Sequence, residues 1–125
     1  MNAQGKVTRS AIQRKTRTAR IELRRRWPQV FAGPKAPKRP LAIGIRQAIL
    51  SAAPDLDRAD VWLALDDYTA GPTYLRACVA GAARIGLDGE PDGVVTASEA
   101  AFAAKRAAQI EQARARQQHQ QEARA

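Results

Sequence analysis

A mainly α (α+β) domain with a small β-hairpin, a basic N-terminal arm and a long C-terminal helix is the fold class this sequence predicts. Three features carry that expectation. Apolar residues recur at three- and four-residue spacings through residues 12–27, 45–50 and 61–68. Prolines and capping residues stand where those stretches should start and stop. Two Asp-Gly pairs in RIGLDGEPDGVV (84–95) mark turns between short apolar runs. With 125 residues the chain holds one compact domain and tails. The larger core candidates, Leu41, Ile43, Ile45, Ile49, Leu50, Trp62, Leu63, Leu65, Tyr68 and Leu75, crowd into its middle.

The polar, small-residue start (1–10) is expected to be disordered, so that residues 1–20 form a basic, partly disordered arm. From about Ser10 to Arg26 a helix is supported by Ile12, Ala19, Leu23 and Trp27, and Pro28 limits it. Phe31 should tuck onto the domain, followed by an extended basic linker, GPKAPKRP (33–40). A helix is expected to open near Pro40 or Leu41, to bury Ile45, Ile49 and Leu50, and to end at Pro54, leaving Arg46 off its apolar stripe. Asp57 suits the cap of the next helix, where Val61, Leu65 and Tyr68 share a face and which should end before TAGP (69–72). Pro72 suits the first position of a third, short helix reaching about Val79. A hairpin follows, and TASE (96–99) is a capping box, Thr96 capping and Glu99 reaching back. It launches an Ala-, Gln- and Arg-rich helix, expected to fray beyond about Ile110. The domain is placed at 21–112, with 113–125 as a fraying tail.

Charge is the first functional signal. The chain carries +9 formally, but residues 1–40 alone hold twelve Lys or Arg against one acid, Glu22, a local +11. Residues 41–95 hold four basic and eight acidic residues, −4, and residues 96–125 five and three, +2. A basic arm beside an acidic body is the electrostatic footprint of a polyanion partner, with nucleic acid ahead of an anionic membrane. The single cysteine, Cys78, allows no internal disulfide or cysteine metal set, and its apolar surroundings predict a buried thiol. No apolar run reaches the length of a membrane span, and the start lacks the apolar segment of a secretory signal, so a cytoplasmic location is expected.

Several catalytic classes lack their residues. The lone histidine, His119, sits in the polar tail QQHQQ, which leaves histidine acid–base or triad chemistry unsupported. No glycine-rich phosphate loop with a following lysine occurs. Asp88, Glu90 and Asp92 alternate as calcium ligands do, yet the twelve-residue loop with its terminal glutamate is missing, and a hairpin turn is the better reading. Asp66 and Asp67 are adjacent and point apart on a helix. The expectation is no enzyme, no cofactor and no metal.

Taken together, WPQVF (27–31), RPLAIGI (39–45), ALDDYT (64–69), YL (74–75), GAARIGLDGEPDG (81–93) and VT (95–96) resemble, in order and spacing, the ProQ/FinO domain family of RNA chaperones. The match runs over roughly residues 20–110. The resemblance implies a helical domain with a small β-element and a positive concave face. It implies binding of structured RNAs at terminator-like hairpins with single-stranded 3′ tails, post-transcriptional regulation, and duplexing of small regulatory RNA with mRNA. A monomer and no membrane contact are expected.

At the residue level, Tyr74 sits in the first turn of a helix and is either a core ring or a base-stacking and hydrogen-bonding group. Arg84 is either a phosphate contact or a structural partner of Asp66, Asp67 or Asp88. The resemblance favours the RNA role for both. Thr73, Arg46, Arg39, Lys38 and Arg58 complete the candidate RNA-binding set, and Arg14, Lys15, Arg17, Arg20 and Arg24 of the arm are candidates for the RNA backbone. Ala42 stands where many relatives carry lysine, and Trp62, Asp66 and Thr73 where some carry arginine. A less positive concave face, compensated by the arm, is therefore expected. Two readings compete: a protein-interaction factor whose arm docks on an acidic partner, and a DNA-binding regulator.

Overall fold

The structure, a computed structural model, describes residues 8–124. Residues 1–7 of the start expected to be disordered lie outside the described residues, and Arg9 and Ser10 already belong to a helix. That helix, α1 (Arg9–Arg26), is capped by Thr8, whose hydroxyl accepts from the Ala11 amide at 3.1 Å. It packs along α3 (Arg58–Ala70), with Leu23 buried, Ala19 and Trp27 against the core, and Ile12 left largely outside. The Trp27 amide donates to the Leu23 carbonyl and the helix stops before Pro28. Glu22 holds Arg25 and Arg26, and Arg26 reaches Asp55 with both terminal nitrogens, at 3.0 and 2.6 Å. Those contacts tie α1 to the turn beyond the next helix.

The following segment corrects one expectation. Helix α2 (Ile45–Ala52) does not open at Pro40 or Leu41. Pro40–Ala42 instead runs parallel to β1 (Ala83–Ile85): the Ala42 amide donates to the Ile85 carbonyl and the Ile85 amide to the Pro40 carbonyl, both at 2.9 Å. Long-range pairing outcompetes the local helical pattern there. Gly44, with φ of 87°, makes the left-handed turn that converts the extended chain into α2. Helix α2 ends at Ala52, before Pro54.

Asp57 caps α3 by accepting from the amides of Ala59 and Asp60 at 2.8 and 3.2 Å. Helix α3 runs to Ala70, into the TAGP stretch expected to follow it, and Pro72 opens α4 (Pro72–Ala77) at its first position. Strand β1 pairs antiparallel with β2 (Pro91–Val94). The turn spans Gly86–Glu90, where Gly89 takes φ of 85° and the Asp88 carboxylate accepts from the Glu90 amide. Asp92-Gly93 is not a second turn. It lies inside β2 at a shift of register, where Gly93, φ 87°, forms a bulge. The capping box then launches α5 (Ala97–Arg124): Thr96 Oγ1 accepts from the Glu99 amide and Glu99 Oε1 from the Thr96 amide, at 3.2 and 2.9 Å. The helix continues to Arg124, and every side chain described beyond Ile110 is exposed.

The core joins Leu23, Val30 and Phe31 to Leu41, Ile45 and Ile49, to Val61, Leu65 and Tyr68, and to Tyr74, Ile85 and Val95. Each fully buried aliphatic chain contributes about 1.5–3 kcal/mol relative to exposure. Aromatic edges meet at its centre, Phe31 on Tyr68 at 5.3 Å and Tyr68 on Tyr74 at 6.0 Å. Three expected core residues are outside it, and Leu63, half-buried on α3, is the least exposed of them. Ile43 is 78% exposed in the turn before α2, and Trp62 is 51% exposed on the outer side of α3, because Val61 and Leu65 already take the inward positions.

Candidate nucleic-acid interface

The cations of α1 divide between two flanks. Arg17, Arg20 and Arg24 point into a cleft of about 770 Å³ between α1, the segment 31–38 and the α3–α4 corner, where Lys38, Tyr68 and Thr73 join them. Its apolar lining includes Ile21, Leu23, Phe31 and Pro34, and Asp67 is the one carboxylate lining it among the described residues. Asp67 pairs with Arg20 at 2.8 Å. Arg17 and Arg24 form no ion pair among the described residues. Arg14 and Lys15 face the other flank, a hollow of about 570 Å³ shared with Glu22, Asp55, Asp57 and Asp60. The five arm cations therefore line two hollows rather than one.

Lys38 is the most tightly placed cation of the cleft. Its Nζ donates to the Tyr68 carbonyl at 3.1 Å and lies 4.4 Å from the centre of the Tyr68 ring, which the Arg20 guanidinium also approaches at 5.2 Å. Burial and the neighbouring Arg20 charge push the Lys38 ammonium below the usual lysine range. Tyr68 is fixed in turn, its hydroxyl accepting from the Ala32 amide at 2.9 Å. Like charges held together around an open cleft, with one acid to oppose them, attract an anion.

Tyr74 and Arg84 meet on the other side of α4, in a pocket of about 370 Å³ with Leu75, Cys78, Ser98, Glu99 and Phe102. Thr73 and Tyr74 are sequence neighbours yet serve different hollows. Tyr74 is 7% exposed, and its hydroxyl accepts from the Leu41 amide at 2.9 Å, so the ring packs as a core group in this conformation. Burial pushes its phenol above the usual range. Arg84 is not paired with Asp66, Asp67 or Asp88. Its Nη1 donates to the Leu41 carbonyl at 2.9 Å and its Nη2 to Glu99 Oε1 at 3.0 Å, while the buried Nε has no hydrogen-bond partner among the described residues. Leu41 is thus clamped through its amide by Tyr74 and through its carbonyl by Arg84. Cys78 is a buried free thiol, as expected, pushed up by burial.

The remaining candidates are dispersed. Arg39 donates to the Gln29 carbonyl at 2.7 Å. Arg58 is exposed at the start of α3. Arg46 lines a third hollow, of about 340 Å³, with Gln47, Trp62, Asp66 and Thr69. Sequence reasoning missed two residues at these sites. Glu99, singled out as a capping residue, also holds Arg84, and the exposed Phe102, one turn further along α5, lines the same pocket. The capping box made that turn legible, because residues three apart share a helix face. Among the described residues no cluster of His, Cys, Asp or Glu is arranged to hold a metal ion, and no helix is long and apolar enough to cross a membrane.

Known proteins resemble this chain in sequence and fold. Residues 10–121 match the model of the ProQ/FINO family. The RNA chaperone ProQ of Haemophilus influenzae is 38% identical over 81 residues, 62% of this chain and 40% of that protein. The chain thus spans less than half the length of this curated relative. A FinO-like RNA chaperone from Neisseria meningitidis superposes with a TM-score of 0.59 at 26% identity, over 73% of this chain and 92% of that one. A ProQ homolog from Legionella pneumophila gives 0.61 at 28% identity, over 74% and 80%. The helical body with its small hairpin is the architecture these structures share, and the chain belongs to the ProQ/FINO family.

Proposed function

We propose that this chain is an RNA-binding protein that acts as an RNA chaperone, without catalysis of its own, on hairpins ending in single-stranded 3′ tails. The observation that carries this reading is the convergence of Arg17, Arg20, Arg24 and Lys38 on one open cleft opposed by a single carboxylate. Phosphates of a folded RNA lie along that cleft and release counterions, which supplies most of the affinity. Thr73 borders the cleft and Tyr74 the neighbouring pocket, so α4 stands between the backbone track and the site for the loose end. In that pocket Arg84 meets a phosphate in exchange for Glu99, the partner it holds without RNA. Tyr74 holds the Leu41 amide, and the Leu41 carbonyl in turn holds Arg84 at the pocket. Two relatives are named RNA chaperones, which supports the same activity here. Annealing of a small regulatory RNA to its mRNA, in the cytoplasm and by a monomer, is part of the proposal.

Gel shift with the full chain tests it. The protein should bind a hairpin with a single-stranded uridine tail more tightly than the same hairpin with a blunt end, and both more tightly than duplex DNA of equal length. Equal binding of all three would reduce the interaction to charge attraction and overturn the proposal.

A further inference from the structure

Trp62, Asp66 and Thr69 recur at helical spacing along the outer face of α3 and look across at Arg46 and Gln47 in the first turn of α2, with about 340 Å³ of open space between the two helices. Trp62 is 51% exposed, although Val61, Ala64, Leu65 and Tyr68 of the same helix are buried. An indole left outside a well-filled core is costly to hydrate and finds its natural cover in a flat apolar partner. Arg46 is exposed beside it and makes no ion pair among the described residues.

We propose that Trp62 is a stacking platform for one unpaired base of a bound RNA, with Arg46 on the adjoining phosphate. The inference rests on the RNA-binding reading and adds to it a site outside the α1 cleft and the Tyr74–Arg84 pocket. The chemistry favours a nucleotide over an apolar peptide. The hollow has room for one nucleotide rather than a helix, its unpaired cation suits a phosphodiester, and the Gln47 amide, Asp66 carboxylate and Thr69 hydroxyl border it with hydrogen-bonding groups for a base edge. Stacking on an aromatic ring accepts any base, because every base has a π-face.

The test uses Trp62 as its own reporter in the full chain. Wild type and Trp62→Phe are titrated with a tailed hairpin RNA and with its blunt counterpart, following emission and gel mobility in parallel. The difference between the two proteins isolates Trp62 from Trp27. Trp62 emission should be quenched by the tailed RNA over the concentrations that shift its mobility, and much less by the blunt one. Trp62→Ala should weaken binding of the tailed RNA roughly five- to hundredfold, the range for loss of one base stack, and Trp62→Phe should lose less. Circular dichroism confirms that both variants fold. Saturated mobility shifts with unchanged Trp62 emission, and wild-type affinity in Trp62→Ala, would overturn the platform while leaving RNA binding intact. Absence of any shift by the wild-type protein would overturn both. Loss of a dimer in Trp62→Ala on size exclusion, with RNA affinity unchanged, would assign the indole to an interface between copies and sink the proposal.

Discussion

The Tyr74 hydroxyl accepts a 2.9 Å hydrogen bond from the Leu41 amide, joining the first turn of α4 to the strand-like segment ahead of α2. Tyr74→Phe keeps the ring and removes that acceptor, leaving a buried amide unpaired. The variant should lose about 1–3 kcal/mol of stability, read by urea denaturation. Tyr74→Ala opens a cavity as well and should lose about 3–5 kcal/mol. A loss of RNA affinity in Tyr74→Ala therefore assigns a direct RNA role only if Tyr74→Phe, folded at the assay temperature, shows where the hydroxyl matters.

Acid should weaken the fold through its paired carboxylates. Glu99 is held below the usual range by the Thr96 amide and then by Arg84. Arg25 and Arg26 hold Glu22 down to about 2, and Arg26 lowers Asp55. A carboxyl depressed in the folded state contributes stability that is fully present above its unfolded value and lost as pH falls through its folded one. Thermal midpoints at low salt should hold down to about pH 5 and fall steadily towards pH 2. Glu99→Gln should shallow that decline, and midpoints flat to pH 2 would contradict the pairing.

Salt dependence separates the two flanks of α1. Replacing Arg17, Arg20 and Arg24 together by alanine should lower RNA affinity at moderate salt. It should also reduce the slope of log affinity against log salt by roughly 2–3, at about 0.7–0.9 for each phosphate no longer neutralised. Arg14→Ala with Lys15→Ala, on the flank shared with four carboxylates, should change the slope by less than half as much. Side-chain replacement is the right instrument, since deleting residues 1–20 would remove part of a helix packed on α3.

Cys78 should be inert. Its thiol is buried against the core and shifted upward, so the reactive thiolate is scarce at neutral pH. Labelling by a thiol reagent should be slow in the native protein and fast in denaturant. Immediate labelling without denaturant would show that the pocket beside Arg84 opens readily.

What was legible in the sequence was what neighbours along the chain decide. Asp57 as a cap, Pro72 at a helix start, the Thr96–Glu99 box and the Asp88-Gly89 turn are settled within a few residues, whereas Asp92-Gly93, a turn signal of the same kind, is a bulge inside β2. Pro40–Ala42 carries a local helical pattern, yet a strand more than forty residues away claims it. Ile43 and Trp62 read as core by composition alone; the turn at Gly44 leaves Ile43 outside, and the inward positions of Val61 and Leu65 leave Trp62 outside. At the candidate site, the residue types were visible and their partners were not. Nothing local tells that Arg84 selects Glu99 over Asp88, or that one helix turns Arg17, Arg20 and Arg24 one way and Arg14 and Lys15 the other.

Ultraviolet crosslinking of the full chain to a tailed hairpin RNA, with the adducts mapped by peptide mass spectrometry, tests the central claim most directly. Adducts should fall on residues 17–24 and 38, on the Thr73–Arg84 stretch and at Trp62, and be absent from Arg14, Lys15 and the exposed end of α5 beyond Ile110. Adducts confined to that end of α5, or none at physiological salt, would contradict it.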